Sequence, residues 1–161
     1  RTKGKTMKIY KIWLSGLVRR WHSNPDVVHT AQTNAQHQWG CAILAIHLFP
    51  DNHRLLIDAI THDVAEMGVG DVAGPAKGRD PVLRAAIEAA ESANFLALEL
   101  IEPGKTQELR LIDQLEAYLW AERHAPQTMV SDGWPELLED IKTMSRHLRV
   151  YDKVCGCLKN F

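Results

Sequence analysis

Three short stretches of the sequence place side chains that bind metals in apolar surroundings. They are His37 in AQHQWG, the adjacent pair His62 and Asp63 in AITHDVAE, and Asp113 in LRLIDQLEAYLW. A buried carboxylate is costly unless it is paired with a positive group or coordinates a cation. A divalent metal ion would satisfy both aspartates, so we predict that His37, His62, Asp63 and Asp113 bind one metal ion.

The types of these side chains limit the choice of metal. Two imidazoles with two carboxylates suit zinc, manganese, cobalt, nickel or iron better than magnesium alone. We therefore expect Zn, Co, Mn or Ni as the cofactor, with a second ion such as Mg accompanying the phosphates of a substrate. A single histidine or aspartate on a helix is more often a hydrogen-bonded core residue or a cap, so the prediction depends on all four occurring together.

The elements that must position these residues are predicted to be helices. Apolar residues recur at helical spacing in six segments, and no alternating strand pattern occurs. The sequence therefore predicts an all-α fold with about six helices in a single compact domain over residues 1–161, with the metal core within about 7–124. The six segments cover about 9–21, 34–49, 51–66, 81–101, 106–124 and 134–152.

One long loop, GVGDVAGPAKGRDP at 68–81, interrupts the predicted helices. Loops of this length inside a domain are usually functional or mobile. Asp80 followed by Pro81 predicts the start of the next helix, because aspartate caps a helix N-terminus and proline suits the first helical position. Glu66 lies three residues after Asp63, and helical spacing would place it on the face of the ligands.

Composition and charge exclude several classes of protein. The chain has 19 Lys and Arg against 20 Asp and Glu, a net charge of −1, and 45% hydrophobic residues. Such a balance gives no overall attraction to polymeric nucleic acid or to a membrane. The chain has no apolar run of the roughly 18 residues that span a bilayer, and its three cysteines do not suggest a disulfide framework. We expect a cytoplasmic protein with free thiols that binds neither nucleic acid nor membrane and that forms a homo-oligomer.

The pattern H…HD…D resembles the HD-domain superfamily of metal-dependent phosphohydrolases, and more narrowly the YfbR-like 5′-deoxynucleotidases. The resemblance covers most of the chain up to about residue 124, and it implies that His37, His62, Asp63 and Asp113 are the metal ligands. One departure is Gln36-His37-Gln38, where the family commonly has Glu-His-Ser. The supporting stretches are Arg20-Trp21, QHQWGCAILA at 36–45, HDVAEMGVGDVAGPAK at 62–77 and IDQLEAYLW at 112–120.

The same resemblance implies roles for residues around the metal. Glu66 and Asp71 would activate water or place the substrate. Trp21 and Pro75 would contact the base or the sugar of a nucleotide. Phosphate ester hydrolysis also needs positive charge where negative charge develops. The candidates for this charge are Arg20, Lys77, Arg79 and Arg110, of which Arg110 precedes Asp113 by one helical turn.

The compact chain is also similar to phage dATP triphosphohydrolases of the DatZ type. This similarity implies hydrolysis of dATP to deoxyadenosine and triphosphate, which depletes dATP in phages whose DNA carries 2-aminoadenine; the protein would then act in the host cytoplasm. A 5′-deoxynucleotidase acting on deoxynucleoside monophosphates is the first alternative. A non-catalytic helical interaction module is the second. A signalling phosphodiesterase fits the bare metal motif, but the GDVAGPAK loop favours the nucleotidase branch.

Overall fold

The computed structural model describes residues 2–22, 24–72, 74–131 and 133–158, without the side chains of 2–6 and 74–76. Within these ranges the chain is helical and forms no strand, which confirms the all-α prediction. Three short 3-10 segments, Val28–Thr30, Val64–Gly68 and Pro126–Thr128, lie between the α-helices. The α-helices are α1 Thr2–Ser15, α2 Asn34–Leu48, α3 His53–Thr61, α4 Gly74–Arg79, α5 Pro81–Leu98, α6 Gln107–His124, α7 Trp134–His147 and α8 Tyr151–Leu158.

The chain divides into two compact units. The first unit comprises Arg1–Gln38 and Thr61–Pro103, and the second comprises Trp39–Ile60 and Gly104–Phe161. The predicted single domain over residues 1–161 stays a prediction. None of the helices in the described ranges has the length and apolar character needed to cross a bilayer.

The core of the first unit holds the segment that follows His62 and Asp63. Val64, Ala65, Phe95 and Leu98 are buried against one another, and Ile12 of α1 packs on them. The side-chain amide of Asn94 donates a hydrogen bond of 2.9 Å to the carbonyl oxygen of Ala65. This bond and the burial of two neighbouring apolar side chains fix the backbone directly after the candidate ligands.

The predicted start of α5 is confirmed. The Asp80 carboxylate accepts hydrogen bonds from the backbone N–H groups of Val82 and Leu83, and Pro81 occupies the first helical position. An aspartate in this position satisfies N–H groups that have no partner within the helix. The cap therefore sets where the predicted loop ends.

Two predicted helix ends and one predicted loop are wrong. α1 ends at Ser15, not near Trp21, because the chain after Gly16 turns and pairs with the segment before α2. α3 ends at Thr61, not near Glu66, and a 3-10 segment from Val64 to Gly68 follows. The predicted loop at 68–81 contains α4, so its middle is helical.

The predicted C-terminal helix at about 134–152 is two helices. Arg149 has a φ of 60° and separates α7 from α8. The N–H of Val150 donates to the carbonyl oxygen of Ser145, and the N–H of Leu148 donates to Met144. Helices commonly end with one residue in the left-handed region, followed by a residue whose N–H donates to the carbonyl oxygen five residues back. With α4, this break raises the number of α-helices from the predicted six to eight in the described part of the chain.

In the second unit, α2 approaches α6 closely at Gly40. A Cβ atom on Gly40 would lie 2.6 Å from Cγ of Glu116, whose side chain is buried. Gly156 in α8 is also helical, but a Cβ atom there would meet nothing within 4 Å. Both glycines are helical, but only at Gly40 would an added methyl group meet a neighbouring side chain.

We expect Gly40→Ala to destabilise the protein by about 1 to 3 kcal/mol, because the new methyl group displaces a buried side chain. In an open helical position, the same change usually stabilises by up to about 1 kcal/mol. Gly156→Ala is therefore the matched control and should raise the free energy of unfolding. Urea denaturation of both variants checks the opposite signs, and stabilisation by Gly40→Ala would contradict the close approach.

Candidate metal centre

Two histidines and one aspartate of the first unit bring their ligand atoms together. Nε2 of His37 lies 3.2 Å from Nε2 of His62 and 3.6 Å from Oδ2 of Asp63. Nε2 of His62 lies 3.4 Å from Oδ1 of Asp63. His37 and Asp63 are buried, and His62 is half-buried. The predicted ligands His37, His62 and Asp63 thus converge on one point.

These separations suit a transition-metal ion. Ligand atoms held about 2.1 Å from one ion lie roughly 3.0 to 3.4 Å apart in tetrahedral or octahedral geometry. The separations between the two imidazole nitrogens and the nearest Asp63 oxygens, 3.2 to 3.6 Å, differ from this range by only a few tenths of an ångström. The two imidazole nitrogens face each other at hydrogen-bond distance, and in place of an N–H···N hydrogen bond both could direct their lone pairs at one cation. The donor set therefore fits the predicted metal.

The three candidate ligands come from two elements whose ends meet. His37 lies in the first turn of α2, and His62 and Asp63 follow the last residue of α3. His37 N–H donates to the carbonyl oxygen of Thr33, which keeps the first turn of α2 in place. Residues at the end of a helix are not surrounded by further turns of that helix. The side chain of His37 at the start of α2 can therefore approach those of His62 and Asp63, just past the end of α3.

Arg20 is held against the ligand Asp63. Its Nη1 donates to Oδ2 of Asp63 at 2.5 Å, and both side chains are largely buried. The backbone positions this arginine: Arg20 N–H donates to the carbonyl oxygen of Gln32, and Asn34 N–H donates to that of Val18. The short antiparallel pairing of 18–20 with 32–34 thus brings a guanidinium group beside the candidate ligands, and the substrate-binding role of Arg20 stays a prediction.

Glu66 is a buried carboxyl group beside the ligands. Burial, with the negative charges of Asp63 and Asp71, raises the pKa of Glu66 from 4.5 to about 8. Nδ2 of Asn34 opposes this rise by donating a hydrogen bond of 2.9 Å to Oε2 of Glu66. Glu66 reaches this place through the 3-10 segment that begins after Asp63. The helical face predicted for it does not exist, because α3 has already ended.

Trp21 adopts a backbone conformation that its neighbours stabilise. Its φ is 64°, a region that costs roughly 1 to 2 kcal/mol for a residue with a side chain. The N–H of Trp21 donates to Oδ2 of Asp71 at 3.0 Å, and its indole Nε1–H donates to Oε1 of Gln32 at 2.7 Å. Arg20 also lies over the indole ring, 5.7 Å from its centre. The predicted residues Trp21 and Asp71 are therefore adjacent to Arg20.

The remaining site residues predicted in the 68–81 segment are Lys77, Arg79 and Pro75, all of which lie in α4. Nζ of Lys77 lies 3.4 Å from a carboxylate oxygen of Glu91 on α5, and both side chains are half-buried. Arg79 is exposed at the end of α4. Pro75 lies in α4, and its side chain is outside the described part of the structure. The ion pair gives Lys77 a partner within its own unit.

Two predicted residues belong to the second unit. Asp113 is half-buried on α6, and Arg110 is exposed one turn before it. Within the second unit, Asp113 and Cys41 each offer one atom that could bind a metal ion. The sulfur of Cys41 also lies 3.9 Å from the carbonyl oxygen of Ile112 within the second unit.

Sequence reasoning missed three residues that the structure makes relevant. Gln32 and Asn34 are fully buried and bind Trp21 and Glu66. Cys41 was expected only to be a free thiol. A signal existed for Asn34 and Cys41, since they lie three residues before and four residues after His37 and so share its helical face.

No protein-family model, curated protein or solved structure matches the chain. Its relation to the HD-domain phosphohydrolases stays a prediction that depends on the motifs given above.

Proposed function

We propose that this protein is a metal-dependent phosphohydrolase acting on a deoxynucleotide. The observation that supports it best is the first-unit cluster. The ring nitrogens of His37 and His62 lie 3.2 Å apart in it, and each lies within 3.6 Å of one carboxylate oxygen of Asp63. A buried carboxyl group, Glu66, and a guanidinium group, Arg20, flank this cluster. Ligands for a cation, a group that carries a proton and a positive charge are the parts that phosphate ester hydrolysis requires.

His37, His62 and Asp63 would hold the metal ion, and we propose Asp113 as a further ligand. When bound, a divalent ion supplies Lewis acidity and lowers the pKa of a coordinated water. Glu66 would carry the proton during the reaction. Its pKa of about 8 in the metal-free chain keeps it largely protonated at neutral pH, and neutralising the charge of Asp63 would lower that pKa.

The region around Trp21 would form the nucleotide subsite. The indole is fixed by Gln32, and the backbone N–H of Trp21 is fixed by Asp71, so a flat apolar surface lies beside Arg20. Aromatic rings of this kind pack against nucleobases at low entropic cost because they are already immobile. Arg20 would exchange part of its contact with Asp63 for a phosphoryl oxygen.

We propose dATP as the substrate, with deoxyadenosine and triphosphate as products. This choice depends on the resemblance to phage dATP triphosphohydrolases and on the supply of basic side chains for a polyphosphate. Lys77 would have to leave Glu91 to contribute. That ion pair favours the second candidate, a 5′-deoxynucleotidase acting on monophosphates, because a single phosphate needs fewer cations.

Product analysis tests both candidates. The purified protein is incubated with Co²⁺ or Mn²⁺ and with a panel of deoxynucleoside triphosphates and monophosphates, and the products are separated by ion exchange and identified by mass. We expect deoxyadenosine and intact triphosphate, selectively from dATP. Orthophosphate from several monophosphates, with dATP untouched, would replace this proposal by the nucleotidase.

A pair of histidine variants completes the test. His62→Ala should abolish turnover, whereas His29→Ala, which changes an exposed histidine of the same unit, should retain it. A metal-loaded protein that hydrolyses no nucleotide would overturn both enzymatic candidates and leave the interaction module.

A further inference from the structure

The first helix exposes an apolar face between Met7 and Trp13. Met7, Ile9, Tyr10 and Trp13 of α1 are each between 56% and 64% exposed. At 100° per residue, these four positions fall within an arc of about 160°. The rings of Tyr10 and Trp13 stack, with centroids 6.0 Å apart. Leu17, just past the end of α1, is exposed to the same degree.

The opposite side of α1 is anchored to the first unit. Ile12 packs on the core formed by Val64, Ala65, Phe95 and Leu98, and Ser15 is buried. Lys8 pairs with Glu99, at the end of α5. The apolar face is therefore directed away from the body of its unit, and the described contacts of α1 do not cover it.

The charge of this segment differs from that of the whole chain. Residues 1–13 contain Arg1, Lys3, Lys5, Lys8 and Lys11 and no acidic residue, although the net charge of the chain is −1. Lys11 is exposed. Helices that lie in the membrane interface combine an apolar face, aromatic residues and lysines in this way, and they do not need to span the bilayer.

We propose that α1 binds the surface of membranes that contain anionic lipids, with Met7, Ile9, Tyr10 and Trp13 inserted at the boundary between headgroups and acyl chains. Lys11, which is exposed on α1, would contact the lipid phosphates and carboxylates. A second copy of the chain is the less favourable partner, because pairing two α1 helices would bring their lysines together. The proposal is independent of the proposed function, and it replaces the expectation of no membrane contact that was based on the net charge.

Sedimentation of the full chain with lipid vesicles tests the proposal. We expect the protein to pellet with phosphatidylcholine vesicles that contain about one-third phosphatidylserine, to pellet far less with phosphatidylcholine alone, and to be released by salt. Lys11→Glu should weaken binding about tenfold or more, since each charge contributes a factor of about five. The double change Ile9→Ser and Trp13→Ser should weaken it at least about tenfold through lost apolar burial.

Matched controls come from the exposed face of α5. Arg84→Glu makes the same change of charge, and Leu96→Ser removes an exposed apolar side chain; neither should alter vesicle binding. Circular dichroism establishes that each variant is folded. Failure of the wild-type chain to bind anionic vesicles would overturn the proposal. If, in addition, light scattering showed that the double variant lowers the mass of an oligomer, the face would be a contact between copies.

Discussion

Replacing Asp63 by alanine is expected to abolish metal binding and to reduce turnover at least about a thousandfold. Asp63 presents one carboxylate oxygen to each of the two histidines, so its removal takes away a negatively charged neighbour of both. The measurements are metal content after purification, by atomic emission, and the rate of nucleotide hydrolysis. Loss of both together would tie the metal to the reaction.

A second variant separates loss of the metal from loss of the fold. Asp63→Ala removes the acceptor for Arg20, and breaking a buried ion pair costs roughly 3 to 5 kcal/mol of stability. Asp63→Asn keeps an oxygen for Arg20 but lacks the negative charge that a cation needs. We expect the asparagine variant to be folded and metal-free, while Asp26→Ala, at an exposed aspartate of the same unit, should resemble the wild type. Full activity in Asp63→Asn would remove Asp63 from the site.

The sequence was sufficient to predict which residue types of the first unit converge. His37, His62 and Asp63 interrupt apolar helical patterns, and the energetic cost of burying them implies a partner. The structure brings the three side chains together because the start of α2 lies beside the end of α3. Helix periodicity and the Asp80-Pro81 cap likewise predicted the all-α fold and the start of α5.

The environment of Glu66 and Trp21 could not be predicted from local patterns. Periodicity extended the third helix through Glu66, whereas the buried pocket around Val64 and Ala65 selects a tighter 3-10 turn. Contacts from distant segments stabilise the left-handed backbone of Trp21, and no propensity of tryptophan favours that conformation. Such features depend on tertiary contacts and become visible only when the segments at 18–22, 32–34 and 63–71 are placed side by side.

Glu66→Gln is expected to lower turnover by about a hundredfold to ten thousandfold while leaving the metal content unchanged. Glutamine has nearly the shape of a protonated glutamate and can still accept the hydrogen bond of Asn34, but it cannot release a proton. Asn34→Asp would instead add a third negative charge beside Glu66, after Asp63 and Asp71, and it is the harsher change. Loss of metal from Glu66→Gln would contradict the assignment, because it would make Glu66 a ligand.

The same variant makes a prediction for the metal-free protein that is independent of any activity. The pKa of Glu66 is about 8 in the folded chain and 4.5 ordinarily, so between these pH values the folded chain holds a proton that the unfolded chain has lost. Stability should therefore fall as pH rises from about 4.5 to 8, by up to about 1.4 kcal/mol for each pH unit. Glutamine does not titrate, so Glu66→Gln should lose this part of the pH dependence and gain in relative stability toward pH 8. Urea denaturation at pH 5 and at pH 8 measures the free energy of unfolding of both proteins. If that free energy changed equally with pH in both, Glu66 would be ionised in the folded state. The negative charges of Asp63 and Asp71 beside it oppose such ionisation.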